Sequence, residues 1–140
     1  MFCKVLNKEL SYEEVKGRKI GDYVLETNGF KWNIHDVCLN PNVPVRIEIE
    51  GGRVEVSTAQ SGNGRWSSGI SMMLQTSGVG WGCHYMTGDD GEETEREAVI
   101  KGLRTVLERV KSERGRVSVK MEELVTEMLN EYIYPQLSLF

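Results

Sequence analysis

Residues 45–56 read Val-Arg-Ile-Glu-Ile-Glu-Gly-Gly-Arg-Val-Glu-Val, and this stretch decides the fold. Val45, Ile47 and Ile49 alternate with Arg46 and Glu48; after Gly51-Gly52, Val54 and Val56 alternate with Arg53 and Glu55. Successive side chains of a strand point to opposite faces, so each run has one apolar and one charged face. The paired glycines supply the turn between them. The stretch therefore predicts a β-hairpin whose apolar face needs a cover.

Working outward, the same logic finds two more hairpins. Asn28-Gly29 sits between residues 23–27 and 30–37, and Asn-Gly is the strongest short hairpin signal because both residues tolerate positive φ. Phe30, Trp32 and Ile34 alternate with Lys31, Asn33 and His35 and mark one buried face. Residues 40–44, with two prolines, read as a loop, as do the polar, glycine-rich residues 60–65. Beyond them Trp66, Ser68, Ile70, Met72 and Leu74 share one parity, and Val79, Trp81, Cys83 and Tyr85 another, around a turn at Ser77-Gly78. Three successive hairpins predict an antiparallel meander of about six strands.

The last third changes period. Thr94-Glu95-Arg96-Glu97 is a capping box, followed by a helical stripe of Val99, Leu103, Val106, Leu107 and Val110. Gly115 is expected to end that helix and Ser118 to cap the next, whose stripe is Met121, Leu124, Val125, Met128, Leu129 and Tyr132. Ser11-Tyr12-Glu13-Glu14 has the spacing of a shorter capping box. Strands first and helices last predict an α+β domain over residues 1–134, with two C-terminal helices packed on one face of the sheet. No internal repeat, low-complexity run or linker interrupts it.

Composition bounds the function classes. A chain of 140 residues can bury a substantial core without staples, and 39% apolar with 27% charged residues is ordinary for a soluble domain. No apolar run is long enough to span a membrane. Residues 1–4 lack the basic and apolar blocks of a signal peptide, and three cysteines without framework spacing point to a reducing compartment, so a cytoplasmic location is expected. A net charge of −4 argues against strong general DNA binding by the body. The charge is uneven: residues 89–97 hold six acids and one base, and residues 101–120 hold seven bases and two acids. Helix-end electrostatics accounts for this distribution.

Candidate chemistry is sparse. Gly62-Asn63-Gly64-Arg65 and Gly78-Val79-Gly80-Trp81-Gly82 lack the context of phosphate-binding loops, since strands flank both. Cys3, His35, Cys38, Cys83 and His84 are too few and too divergent for a zinc site, and Cys83 and His84 face apart. The acids Asp89, Asp90, Glu92, Glu93, Glu95 and Glu97 lack the spacing of a calcium loop. No metal, cofactor or catalytic site is expected. Arg65, Trp66 and Trp81 on the sheet, with Arg104, Arg109 and Lys111 on the helix, are candidate contacts to single-stranded nucleic acid.

One string remains, Gln136-Leu137-Ser138-Leu139-Phe140, placed after a helix and directly behind Pro135. Pro135 stops the helix and biases Tyr134 toward an extended conformation, so residues 135–140 read as a docking tail. QLSLF resembles the pentapeptide by which many bacterial DNA polymerases, repair factors and phage proteins dock on the replicative sliding clamp, the beta subunit of DNA polymerase III. At average residue usage such a string arises by chance in roughly one chain in ten thousand of this length. The resemblance implies that Leu139 and Phe140 fill a deep apolar subsite, Leu137 fills another, and Gln136 hydrogen-bonds at the rim. Burial of three such side chains at about 1.5–3 kcal/mol each, less the ordering costs, is consistent with an affinity of a few micromolar. The implied partner is a bacterial-type sliding clamp, with DNA reached indirectly. The implied role is a non-enzymatic accessory or regulator of replication or repair; a phage origin and an inhibitory action both fit it. The rival readings are a single-strand-binding module, an enzyme using the acidic cluster or Cys83, and a structural protein whose tail packs on its own core.

Overall fold

A computed structural model describes residues 1–19, 21–75 and 77–135. The elements in chain order are β1 (Phe2–Cys3), β2 (Lys8–Glu9), α1 (Tyr12–Val15), β3 (Tyr23–Thr27), β4 (Phe30–Asn33), β5 (Asn42–Ile49), β6 (Gly52–Gln60), β7 (Trp66–Leu74), β8 (Ser77–Trp81), α2 (Glu95–Ser112) and α3 (Arg116–Ile133). The fold is α+β, with antiparallel strands and two long helices at the C-terminal end of the described chain.

The decisive hairpin forms, with its turn one residue ahead of the Gly51-Gly52 pair expected to make it. Val45 pairs with Val56 and Ile47 with Val54, and Ile49 opposite Gly52 leaves Glu50 and Gly51 as the turn. β7 continues the ladder, with Val56 opposite Ile70 and Val54 opposite Met72. β8 completes a four-stranded sheet in the order β5-β6-β7-β8. Its hairpin closes earlier than expected, because Leu74 already pairs with Ser77 and Gln75 adopts φ 52°.

The expected single meander is not what forms. β3 and β4 make a separate two-stranded sheet, and β1 and β2 another. The cause lies at Asn33, where strand β4 stops. Asn33 Oδ1 accepts the N–H groups of His35 (2.9 Å) and Val37 (3.1 Å), and Asp36 turns with φ 65°. A side-chain amide that satisfies the backbone locally replaces the next rungs of a ladder. Residues 36–38 then pair instead with residues 83–85: Cys38 N–H donates to Cys83 O (2.9 Å) and Tyr85 N–H to Asp36 O (2.8 Å). That pairing draws Cys83 and Tyr85 out of the strand expected to carry them, so β8 ends at Trp81.

Residues 40–44 are also more ordered than a loop. β5 begins at Asn42, and a register shift between Asn42 and Val45 accommodates Pro44, which has no N–H to give. The two edges of the sheet differ in consequence. β5 carries Pro44, the shift, Arg46 and Glu48, whereas β8 carries neither a charge nor a proline.

The apolar face of the sheet is covered as the sequence requires. Val54, Val56, Ile70, Met72 and Leu74 form one buried cluster with Val99, Leu103, Val106 and Val110 of α2 and with Met121, Val125 and Leu129 of α3. Each fully buried side chain of this kind contributes about 1.5–3 kcal/mol. α2 lies on β6 and β7; α3 packs against α2 and reaches β5 and β6. Thr94 caps α2, its hydroxyl accepting Glu97 N–H at 3.1 Å. α2 ends at Ser112, and the helices are joined by residues 113–115 alone. Gly115 therefore begins α3 rather than ending α2, at φ 127°, which only glycine takes without strain. Ser118 sits inside the first turn, its hydroxyl donating to Gly115 O at 2.9 Å.

A second buried cluster holds Cys3, Val5, Leu10, Phe30, Trp32, Ile34, Cys38, Ala59 and Cys83. Ala59 and Thr58 are adjacent on β6 and so face opposite ways. Thr58 joins the helix side, its hydroxyl donating to Glu95 Oε2 at 2.8 Å, while Ala59 joins this second cluster. The one sheet thus serves both cores. Trp32 is fully buried, edge-on to Tyr85 with ring centroids 4.9 Å apart.

Two outcomes follow from this packing. A Cβ added at Gly102 of α2 would lie 2.5 Å from Val56 Cγ1. Gly102→Ala should therefore lose up to about 2 kcal/mol, overpacking outweighing the gain in helix propensity. The urea midpoint should fall in this variant and recover in Gly102→Ala/Val56→Ala; a raised midpoint in the single variant contradicts the close approach. Second, Cys3, Cys38 and Cys83 are free and buried, and burial pushes the Cys83 thiol up to about 11 against a lowering contribution from Ser57. A thiol-disulfide reagent at pH 8 should react with all three only after unfolding in guanidinium, because the thiolate is the nucleophile. Rapid native-state reaction at Cys83 would contradict this.

Candidate functional site

The docking string Gln136–Phe140 lies outside the described residues. The end of the chain that leads into it is well defined. Helix α3 stops at Ile133, and Tyr134 adopts φ −122°, ψ 71°, outside the helical region that the following Pro135 disfavours. A helix end leaves its last carbonyls without partners. Here Arg96 of α2 supplies them: Nε donates to Tyr132 O at 2.9 Å, and Nη2 to both Tyr132 O and Ile133 O. A guanidinium carries its charge at the negative end of the helix dipole, which adds to the hydrogen bonds. Tyr134 and Pro135 are exposed beyond this fastening. Sequence reading missed the role of Arg96; its position in the first turn of an antiparallel partner helix is the signal that could have found it.

The six candidate nucleic-acid contacts do not share one surface. Arg65 is engaged in structure. Its Nε donates to Asp90 O (3.1 Å), its Nη2 to Asp89 O (2.9 Å) and Gly91 O (2.6 Å), and its Nη1 lies 3.8 Å from a Glu93 carboxylate oxygen. It therefore ties down the acidic loop with three of its five N–H donors, and its Nη1 faces a carboxylate rather than open solvent alone. Arg104, Arg109 and Lys111 are exposed on α2. Arg109 lies over the Trp81 ring at 5.6 Å, a cation–π contact that joins α2 to the end of β8. Trp81 keeps 39% of its surface exposed, whereas Trp66 is half-buried and meets Phe30 edge-on at 6.0 Å.

The two tryptophans do meet a common space. A cleft of about 230 Å³ opens between α2 and the helix-side face of β7, lined by Trp66, Trp81, Ser68, Glu92, Lys101 and Thr105 among others. It exists because β8 stops at Trp81, opposite Ile70, so among the described residues β7 has no laddered neighbour over residues 67–69 on that side. Lys101 Nζ and a Glu92 oxygen, 3.6 Å apart, stand at its border with a larger, open groove on the outside of α2. The parity of Trp66, Ser68 and Ile70 placed these side chains on one face, but only the early end of β8 reveals the gap.

The acidic segment does not gather into a metal site. Glu95 accepts from Asn42 Nδ2 and Thr58 Oγ1, each at 2.8 Å, Glu92 pairs with Lys101, and Glu93 faces Arg65. Among the described residues no group of three or more His, Cys, Asp or Glu could hold a metal ion. The three cysteines are buried, and His35 and His84 are exposed. His35 and Cys38 lie on a turn and an isolated bridge rather than on one strand. No described helix is long and apolar enough to cross a membrane.

The chain matches no known protein family, and no curated protein or solved structure is significantly similar to it.

Proposed function

We propose that this protein docks on a bacterial-type sliding clamp through Gln136, Leu137, Ser138, Leu139 and Phe140, and acts there as a non-enzymatic accessory or regulator of DNA replication or repair. One observation carries the reading. A pentapeptide of the clamp-binding pattern follows directly on an exposed Tyr134-Pro135, past a helix end that Arg96 fastens to the body. A fastened stem supports docking because the body and the peptide then move as connected parts over a short reach. Five residues span at most about 17 Å. While the peptide occupies the pocket, the body stands beside it, and other ligands of that pocket are excluded by mass action. Recruitment and inhibition use the same contact; a primer-extension assay with clamp-dependent polymerase separates them.

Deleting residues 136–140 should abolish co-elution with a purified bacterial clamp and leave the thermal midpoint nearly unchanged. Undiminished binding by the truncated protein would end the proposal. Within the string, Phe140 offers the largest apolar surface. Phe140→Ala should cost about 2–4 kcal/mol, roughly thirty- to a thousandfold in affinity by calorimetry, while Ser138→Ala should cost little. The reverse order would show that the subsites are wrongly assigned even if the string binds.

A further inference from the structure

We propose that the cleft between α2 and β7 receives one unstacked base of a nucleotide, with the sugar and phosphate outside it along Lys101 and Arg109. The residues of this site are other than those of the docking string, and it does not rest on the clamp reading.

Size is the first argument. At about 230 Å³ the cleft is smaller than the roughly 300–1,000 Å³ of pockets that take drug-sized molecules, so it suits a single planar ring system. Its walls are the second. Trp66 and Trp81 both line it, Trp81 with 39% of its surface exposed, and every base has a π-face that stacks on an exposed indole regardless of sequence. Ser68, Thr105 and Glu92 bring hydroxyl and carboxylate groups to the same lining, where the polar edge of a base needs partners. Small side chains keep the space open: Ser68 from the sheet, Gly102 and Thr105 from the helix.

Charge is the third argument. Lys101, Thr105 and Arg109 follow one another at intervals of four along α2, so they form one ridge. The two cations stand about 12 Å apart along the helix axis, on either side of Thr105. Lys101 is exposed and its pairing with Glu92 is loose, so a phosphate can compete for it. Arg109 lies over the ring of Trp81, one of the residues that line the cleft. With a chain charge of −4, binding through a broad phosphate contact is disfavoured, and capture of one base with one or two phosphates is the mode that fits.

The base has two sources, a free mononucleotide or a single DNA strand. The full-length protein should be titrated with deoxyadenosine 5′-monophosphate and with a deoxyadenylate strand of about ten nucleotides, followed by tryptophan fluorescence. Quenching by either supports the site. Equal affinity for both assigns a free nucleotide, and binding of the strand alone assigns single-stranded DNA. The salt dependence should be shallow, a log–log slope of about −0.7 per phosphate engaged. Trp81→Ala should weaken binding roughly five- to a hundredfold. Thr105→Trp, which fills the cleft from an incompletely buried helix position, should abolish it while the circular dichroism spectrum is retained. No quenching of the parent protein by either probe overturns the proposal. So does binding by both folded variants at parental affinity.

Discussion

Helix α2 lies on the sheet at the distance that a glycine allows. Where Gly102 meets Val56 there is no room for a methyl group, and this approach sets the height of the whole helical layer. Leu103 and Val106 reach the sheet's apolar face because of it, and α3 is then placed by its packing on α2. Interiors packed to crystal-like density transmit such a constraint rather than absorbing it. The same approach shapes the cleft, since a larger residue at position 102 would raise α2 above Ser68 and Trp81.

The sheet is shared by two cores, and the acidic segment joins them. Glu95 opens α2 while accepting hydrogen bonds from β5 and β6, and Arg65 holds the carbonyls of residues 89–91 just ahead of it. What looks in the sequence like a run of negative charge is largely a set of individually assigned contacts. Placing acids at a helix N-terminus is favourable in itself, and the carboxylates gain further from these partners.

The parts of the fold that were legible are those governed by local pattern. The hairpin at residues 45–56, the Asn28-Gly29 turn and the helical stripes follow from periodicity and turn chemistry, and the structure contains each. What stayed hidden depends on partners distant in sequence. Nothing in residues 30–37 announces that Asn33 will cap its own neighbours, or that Cys38 will pair with Cys83 across the body. That single exchange turned one expected meander into a four-stranded sheet with a separate hairpin, and it also ended β8 early. The site readings divide in the same way. The string at residues 136–140 suggests docking because its pattern is contiguous, whereas the engagement of Arg65 and the shared cleft of Trp66 and Trp81 exist only in three dimensions.

The unequal edges of the four-stranded sheet give it a direction. On the β5 side, proline, a register shift and alternating charges oppose the addition of another strand. On the β8 side, residues 77–81 present uncharged backbone with none of those devices. Growth of the sheet by any extended segment, including the same strand of another copy, is therefore favoured at one side and blocked at the other. Of the two edges, β8 is thus the one whose described residues would accept a further strand.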